Sequence, residues 1–371
     1  MNKLIALMIT VAVVFAMPGC WDVRDVTNRA FVTSIGLDAA DNGYKVTVKM
    51  PKPAQIRNRS TQVFTVSQTA EAESISKAIQ ILQSRLARDI SFSHLRVLVI
   101  GEKLARQKNF NDLISFISKN PEIALRFKLI FVEGGEARDV LKGVPLFDRS
   151  ISSELVGLSE AGDDLGFARS KRFYDILADL RITDGTAVGT KIIYKKQDEE
   201  VLARIGGAIF NNWRLTGSLN ADEMQMANWI LRQNPRIIVR CRMGQGEYSY
   251  IVETKSHKII PKNKNGRLGF DVHIKSIGSI IEQQGSSLDL SEPKNLDRLK
   301  AVLTETIWQQ VSRAVYKSQK ELGIDYLGFN RALQQQDPKL YEKLDWPKVY
   351  PDVPVDIKVD VRIPRFGSER R

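Results

Sequence analysis

The amino-acid sequence predicts an α+β protein of more than one domain behind an N-terminal lipoprotein signal peptide, and three observations carry that prediction. Helix-period and strand-period segments interleave along the chain, which argues for sheets layered with helices rather than a bundle. Roughly 350 residues follow the leader, too many for one hydrophobic core and enough for two or three. The leader itself ends on a cysteine.

Lys3 is the one charge at the start of the chain, Leu4 to Met17 are apolar, and Pro18-Gly19-Cys20 follows. The apolar run suffices for export but falls short of the roughly 20 residues that span a bilayer. A small residue directly before a cysteine is what lipoprotein processing requires. Cleavage is therefore expected between Gly19 and Cys20, making 1–19 the signal peptide and Cys20 the site of S-diacylglycerol and N-acyl attachment. Met17 and Pro18 stand where that motif usually has Leu and then Ala or Ser. The alternative is a secretory signal cut by the ordinary peptidase. Two acyl chains suffice for stable anchoring where one does not.

With Cys20 acylated, Cys241 has no cysteine left to pair with, and the apolar Ile237-Ile238-Val239 before it predicts a buried, inert thiol. The formal charge of +12 falls to +11 once Lys3 is removed. That balance favours an anionic neighbour such as phospholipid headgroups, wall polymer or nucleic acid. The densest basic run, Lys255, Lys258, Lys262, Lys264 and Arg267, contains Pro261 and Gly266 and reads as a solvated loop, with a membrane-facing patch as the alternative.

Ala30 to Leu37 and Tyr44 to Met50 read as two strands of a hairpin whose Asn42-Gly43 supplies the turn. Ile75, Ala78, Ile79, Leu82 and Leu86 recur at helical spacing, with Glu71 and Glu73 expected in the first turn. A β-rich run from His94 to Ile100 precedes a helical pattern through Ser118, stopped by Asn120-Pro121. Leu125, Phe127, Leu129 and Phe131 alternate as in a half-buried strand. A helix over Phe167–Leu180 then leads to strands at Ala187–Tyr194 and Val201–Phe210.

Next come a helix over Asp222–Arg232 and three strands, Arg236–Met243, Tyr248–Ile260 and Gly269–Gln283. Leu296, Leu299, Leu303, Ile307, Val311, Ala314 and Val315 mark the longest helix, ending near Gly323. From Val353 to Ile363 apolar and polar residues alternate strictly, with Pro354 near the start predicting an edge position or a late entry into the sheet. The domain boundaries expected from these elements are 20–195, an N-terminal α+β domain; 196–235, a small middle domain; and 236–371, a C-terminal α+β domain.

Reactive chemistry is hard to find. His94, His257 and His273 are far apart and no cysteine pair exists, so no metal site is expected. Phosphate-cradling glycine motifs are missing, and Gly157-Leu158-Ser159-Glu160-Ala161-Gly162 is one residue too long for a nucleophile elbow and reads as a helix end. Ser74-Ile75-Ser76-Lys77 has the Ser-x-x-Lys spacing of penicillin-binding enzymes without their other two motifs, and helix N-terminal chemistry explains it equally well. Asp163-Asp164 reads as a surface turn. Basic charge without a recognition motif, in an exported chain, argues against nucleic acid. A binding or scaffolding protein remains.

Several stretches together carry a resemblance. Gly19-Cys20-Trp21-Asp22-Val23-Arg24-Asp25 opens the mature chain, and Val32-Thr33-Ser34-Ile35-Gly36-Leu37-Asp38 follows. Further on come Arg88, His94-Leu95-Arg96-Val97-Leu98-Val99-Ile100-Gly101-Glu102, Pro121-Glu122-Ile123, Leu180-Arg181, Gly206-Gly207-Ala208-Ile209-Phe210 and Leu215-Thr216-Gly217. Asp325-Tyr326-Leu327-Gly328-Phe329 leads to Asp345-Trp346 and the last strand. In this order they resemble the C subunits of spore-germination (nutrient germinant) receptors, the Ger(x)C lipoprotein family, with Asp25 where Glu is usual.

The resemblance implies an elongated assembly of three α+β domains on the outer surface of the spore's inner membrane, with no enzymatic activity and no cofactor. It implies two integral membrane subunits as partners in a receptor that commits a dormant spore to germinate on sensing nutrients. Trp21, Asp22 and Arg24, just past the lipid, are the expected membrane or partner contacts. The alternative class is an extracytoplasmic solute-binding lipoprotein.

Overall fold

The computed structural model describes residues 28–52, 65–183, 185–194, 196–197, 200–201, 204–231, 237–264, 267–285 and 288–364. The expected hairpin is there, but its first strand is broken. β1 (Arg29–Phe31) pairs in parallel with β5 (Asp89–Ser91), whereas β2 (Ser34–Ala40) turns through Asp41-Asn42 into β3 (Gly43–Pro51). Gly43, at φ 146°, takes the positive dihedral of that turn.

β4 (Thr65–Ala72) follows β3, and here the structure corrects the expected helix start. Glu71 lies in the strand because it faces Lys45 across the ladder, with Nζ 3.6 Å from its carboxylate. Helix α1 (Ile75–Ser84) begins only after Ser74, whose Oγ accepts the Lys77 backbone N–H at 3.2 Å. Such a cap is worth about 1 kcal/mol.

β6 (Val97–Gly101) is followed by two helices rather than one, α2 (Glu102–Gln107) and α3 (Phe110–Lys119), because Lys108 turns extended and Asn109 caps anew. β7 (Lys128–Glu133) starts later than the alternation suggested, since the Leu125 and Phe127 carbonyls accept from Tyr174 and Phe173 instead. α4 (Ala137–Lys142) and α5 (Ile151–Asp164) come next, and Gly157 to Gly162 lie inside α5 rather than at a helix end. α6 is Phe173–Ile182, shorter than expected; residues 167–171 form a connection whose carbonyls are used elsewhere, as at Ala168, which accepts from Asn228.

β8 (Ala187–Ile193) continues the sheet, the short β9 (Lys196–Gln197) and β10 (Glu200–Val201) pair with each other, and β11 (Arg204–Asn211) and β12 (Arg214–Leu219) complete it. The eight-stranded order is β12-β11-β8-β7-β6-β2-β3-β4. Its centre, β8-β7-β6-β2, is parallel and covered on both faces, so β7 is buried on both sides rather than half-buried as its alternation suggested. Leu98, Ile100, Leu129 and Phe131 face a core closed by α1, α2, α3 and α6; Val97, Val99, Ile130 and Val132 face α4 and α5.

Within segment 196–235, β11 and β12 lie at the edge of this sheet, β9 and β10 pair only with each other, and helix α7 (Ala221–Ile230) joins the C-terminal core. Alternation gives the reason: Ala208 and Phe210 enter the core beneath the sheet, and Ile209 between them enters the C-terminal one.

A second sheet runs β13 (Ile237–Met243), β14 (Gly246–Lys264), β15 (Arg267–Gln284) and β16 (Val355–Arg362). β14 and β15 form a long hairpin, so the basic run Lys255–Lys264 lies on a strand, not in a loop; Lys262 pairs with Asp271 on the facing arm. β16 is an edge strand paired in parallel with β15 from Phe270↔Val355 onward, consistent with Pro354 at its threshold. Across this sheet lies α8 (Pro293–Tyr316), burying Leu299, Leu303, Ile307 and Val311 and continuing as a π-helical turn, Lys317–Leu322, to Gly323 at φ 64°. α9 (Phe329–Gln336) and the short α10 (Pro338–Tyr341) and α11 (Trp346–Val349) close the core, where Phe270, Phe329, Trp346 and Tyr350 meet edge-on or tilted.

Candidate functional sites

Gly19, Cys20, Trp21, Asp22 and Arg24 lie outside the described residues. What is described is where their segment enters the fold. Val32 N–H donates to Ser91 O at 2.8 Å and Thr33 N–H to Lys49 O at 2.9 Å, so the chain joins the eight-stranded sheet at the end where β2 starts. There Ser152, at the N-terminus of α5, donates to Thr33 Oγ1 at 2.9 Å and lies 2.5 Å from Ser34 Oγ.

At the opposite end of the same strands, Asp38 accepts the Ala137 and Arg138 backbone N–H groups at 2.7 and 2.9 Å, holding the start of α4. Gly101 has no room for a side chain because Asp38 Oδ1 sits where its Cβ would be. This explains two of the recognisable motifs, Ile35-Gly36-Leu37-Asp38 and Ile100-Gly101-Glu102, as parts of one cap. Burial drives the Asp38 carboxyl up to about 6, and the two N–H bonds only partly offset that.

A cavity of about 710 Å³ opens between α7, α8, β13 and the turn after α5. Phe167, Met226 and Ile238 give it apolar walls, and Arg240, Arg313 and the Glu223–Lys317 pair, 2.7 Å apart, give it a charged rim. Glu223 also closes a capping box with Asn220, accepting its N–H and donating its own to Oδ1, both at 2.9 Å. Burial raises the Glu223 carboxyl, but Lys317 and the cap outweigh it and hold it below its ordinary value. Lys317 begins the π-helical turn, a feature that recurs at functional sites. Such a cleft has the dimensions and mixed lining that accommodate a small amphipathic solute or a partner's side chains.

The remaining candidates are structural. Ser74 Oγ is engaged as a helix cap and Lys77 Nζ donates to Gln80 Oε1 at 3.0 Å, so the Ser-x-x-Lys spacing is helix geometry. Asp163 accepts the Ser170 N–H at 3.0 Å, tying down the connection into α6. Cys241 is buried on β13, and burial pushes its thiol up to about 11. His94 stacks edge-on against Phe31 at 4.4 Å. Among the described residues no group of three or more His, Cys, Asp or Glu side chains is placed to hold a metal.

Sequence reasoning missed a charged cluster. Asp179 on α6 pairs with Lys171 and with Arg331 of α9, and the buried Arg169 lies beside them with no partner for its Nε. Arg331 stands too far along the chain for any spacing rule to connect it. The signal that was available is Asp325-x-x-Gly328: Asp325 accepts the N–H groups of Gly328, Phe329 and Asn330 at 2.9, 3.1 and 2.6 Å and that of Trp346 Nε1 at 3.1 Å. One buried carboxylate therefore joins both parts of the motif that ends in Asp345-Trp346.

Residues 22–193 match the family model described as "Spore germination protein N-terminal domain", and residues 205–367 match "Spore germination B3/ GerAC like, C-terminal". Spore germination protein KC of Bacillus subtilis (strain 168) is 24% identical over 98% of this chain and 96% of its own length. Spore germination protein B3 of the same organism is 22% identical over 95% of each. Among solved structures, that described as "Crystal Structure of the GerBC protein" superposes with a TM-score of 0.60 at 18% identity, covering 92% of this chain and all of that one, and so shares the fold.

Proposed function

The chain belongs to the Ger(x)C family of spore germination proteins, and from that premise we propose that it is the lipid-anchored, non-enzymatic subunit of a receptor through which a dormant spore senses nutrients. In this reading Cys20 carries the lipid and the chain lies on the outer surface of the spore's inner membrane. Trp21, Asp22 and Arg24 meet headgroups or a partner, and two integral membrane subunits complete the receptor. The observation that carries the reading is the end-to-end match, through both family models, to proteins named for spore germination. One further observation supports it: Ser74 Oγ accepts the Lys77 backbone N–H as a helix cap, and Lys77 Nζ is turned to Gln80 rather than to the serine.

The test is deletion of the gene followed by nutrient-triggered germination, scored as loss of refractility across a nutrient panel in a strain without other nutrient receptors. Germination should fail and return with the wild-type gene; an unchanged response to every nutrient would overturn the reading. In parallel, Cys20→Ala should move the protein from the membrane to the soluble fraction.

The cleft beside Glu223 and Lys317 favours a second reading, a lipoprotein that binds a small solute by itself. A bound solute would raise the melting temperature of the isolated chain by mass action, progressively with concentration. No shift with any nutrient that triggers germination would remove this reading and leave the first intact.

A further inference from the structure

We propose that the loop joining α4 to α5, residues 143–150, is a second membrane contact that places Val144, Leu146 and Phe147 in an anionic phospholipid surface and so orients the tethered chain. The inference rests on the membrane-tethered reading above and adds to it a surface that the lipid alone does not supply. Val144, Leu146 and Phe147 are 60%, 55% and 95% exposed. Single exposed apolar side chains are ordinary, but three large ones within four residues on one loop form a patch that water does not favour.

The loop is built to present them. Glu154, in the first turn of α5, accepts the Phe147 and Asp148 backbone N–H groups at 3.3 and 2.9 Å, and Ser150 caps the same helix by accepting the Ser153 N–H at 3.2 Å. The polar backbone is thereby turned inward, with the side chains of Leu146 and Phe147 left outside.

Its position points to the bilayer as occupant. α4 starts at Asp38 and ends where Lys49 Nζ donates to Leu141 O; Lys49 is the ladder partner of Ser34, the first residue of β2. The loop therefore leaves the sheet at the end where the chain comes in, and Ser152 just beyond it touches Thr33 and Ser34. Residues 20–28 separate the candidate lipid site from β1, and a stretch of that length reaches at most roughly 30 Å. At this end Lys52 follows β3, Arg96 and Arg126 precede β6 and β7, and Arg149 lies in the loop, all exposed, against Asp89, Asp148 and Glu160, the last paired with Lys128 at the start of β7. That excess of positive charge complements anionic headgroups.

The test uses the mature chain with Cys20→Ala and Phe147→Cys, the new thiol carrying a polarity-sensitive fluorophore; Cys241 is buried and its thiol stays protonated, so labelling is selective. An N-terminal polyhistidine segment holds the protein on phosphatidylglycerol-rich vesicles containing a nickel-chelating lipid. Emission should shift to the blue and rise several-fold, be quenched by acyl-chain-brominated lipid, and diminish when Val144→Ser and Leu146→Ser are added. The same fluorophore at the exposed Lys339 should not respond. Water-like emission from position 147 on tethered vesicles would overturn the proposal, as would a rise that occurs only when integral membrane proteins of the spore are present, which would make the occupant a protein. Because polyhistidine replaces the lipid, this outcome is independent of acylation in the cell, which the Cys20→Ala fractionation judges separately.

Discussion

Asp179 on α6 accepts from Arg331 on α9 at 3.3 Å across 152 residues of sequence, joining the eight-stranded sheet's helical layer to the C-terminal core. The same carboxylate pairs with Lys171 and lies near Arg169, so one anion serves three cations. Removing it leaves buried positive charge without compensation. Asp179→Asn is expected to lower stability by about 3 kcal/mol, measured by urea unfolding. Arg331→Gln should cost less than about 1 kcal/mol, because that side chain is half exposed and screened. Equal losses would show that the link between the two cores, not the buried charge, dominates.

Two carboxylates give opposite pH dependence. Burial pushes Asp179 up, but Lys171, Arg169 and Arg331 outweigh it and hold the group below its ordinary value. Its stabilising effect is present above about pH 4, the unfolded value, and disappears as pH falls through the folded one. Asp38 is raised from 3.8 to about 6. Its contribution is complete below about pH 4 and is lost as pH rises through 6, an effect of about 3 kcal/mol at most. The urea midpoint of the wild type should therefore fall between about pH 4 and pH 6. Asp38→Asn should flatten that slope while leaving the acid limb below pH 4 in place; an unchanged slope would mean that another group titrates there.

Asp325 accepts four N–H donors, and burial raises its pKa in spite of them. Asp325→Ala orphans all four and should cost at least about 4 kcal/mol. Asp325→Asn, which keeps one good acceptor, should cost less. Trp346 lies on this carboxylate, so its fluorescence should shift in the folded alanine variant. A loss below about 1 kcal/mol would show that the loop from Gly328 to Asn330 is held by its packing rather than by the carboxylate.

Much of the fold is legible because the local signals are strong. Asn42-Gly43 marks the first turn, the spacing from Leu296 to Val315 marks α8, and the alternation from Val353 to Ile363 with Pro354 marks an edge strand. What is not legible depends on partners distant in sequence. Glu71 looks like a helix-start residue until Lys45 appears opposite it. The basic run Lys255–Lys264 looks like a loop because Pro261 and Gly266 lie in and beside it, until its pairing with β15 shows it to be strand. The polar clusters divide likewise: Asp325 to Phe329 stands in a stretch that carries the family resemblance, whereas Asp179 and Arg331 carry no pattern that connects them. The proposed lipid site at Cys20 rests on processing chemistry, which is argued from the sequence alone and lies outside the described residues.

Cys241 offers a reading of how firmly the C-terminal core is closed. It lies on β13, an edge strand of the second sheet, with Arg240 and Arg242 pointing outward on either side and its own side chain buried. The sulfur attacks only as thiolate, and burial holds the thiol up at about 11, so both access and ionisation oppose reaction at neutral pH. In the Cys20→Ala chain, a disulfide reagent such as Ellman's should release negligible colour from the folded protein and one equivalent once denaturant unfolds it. Because β13 is an edge, local fraying is the route most open to early reaction. Asp179→Asn weakens the chain elsewhere, so it should speed modification only in proportion to its loss of global stability. A native chain that reacts fully within minutes would show that β13 detaches from β14 while the rest of the core stays folded.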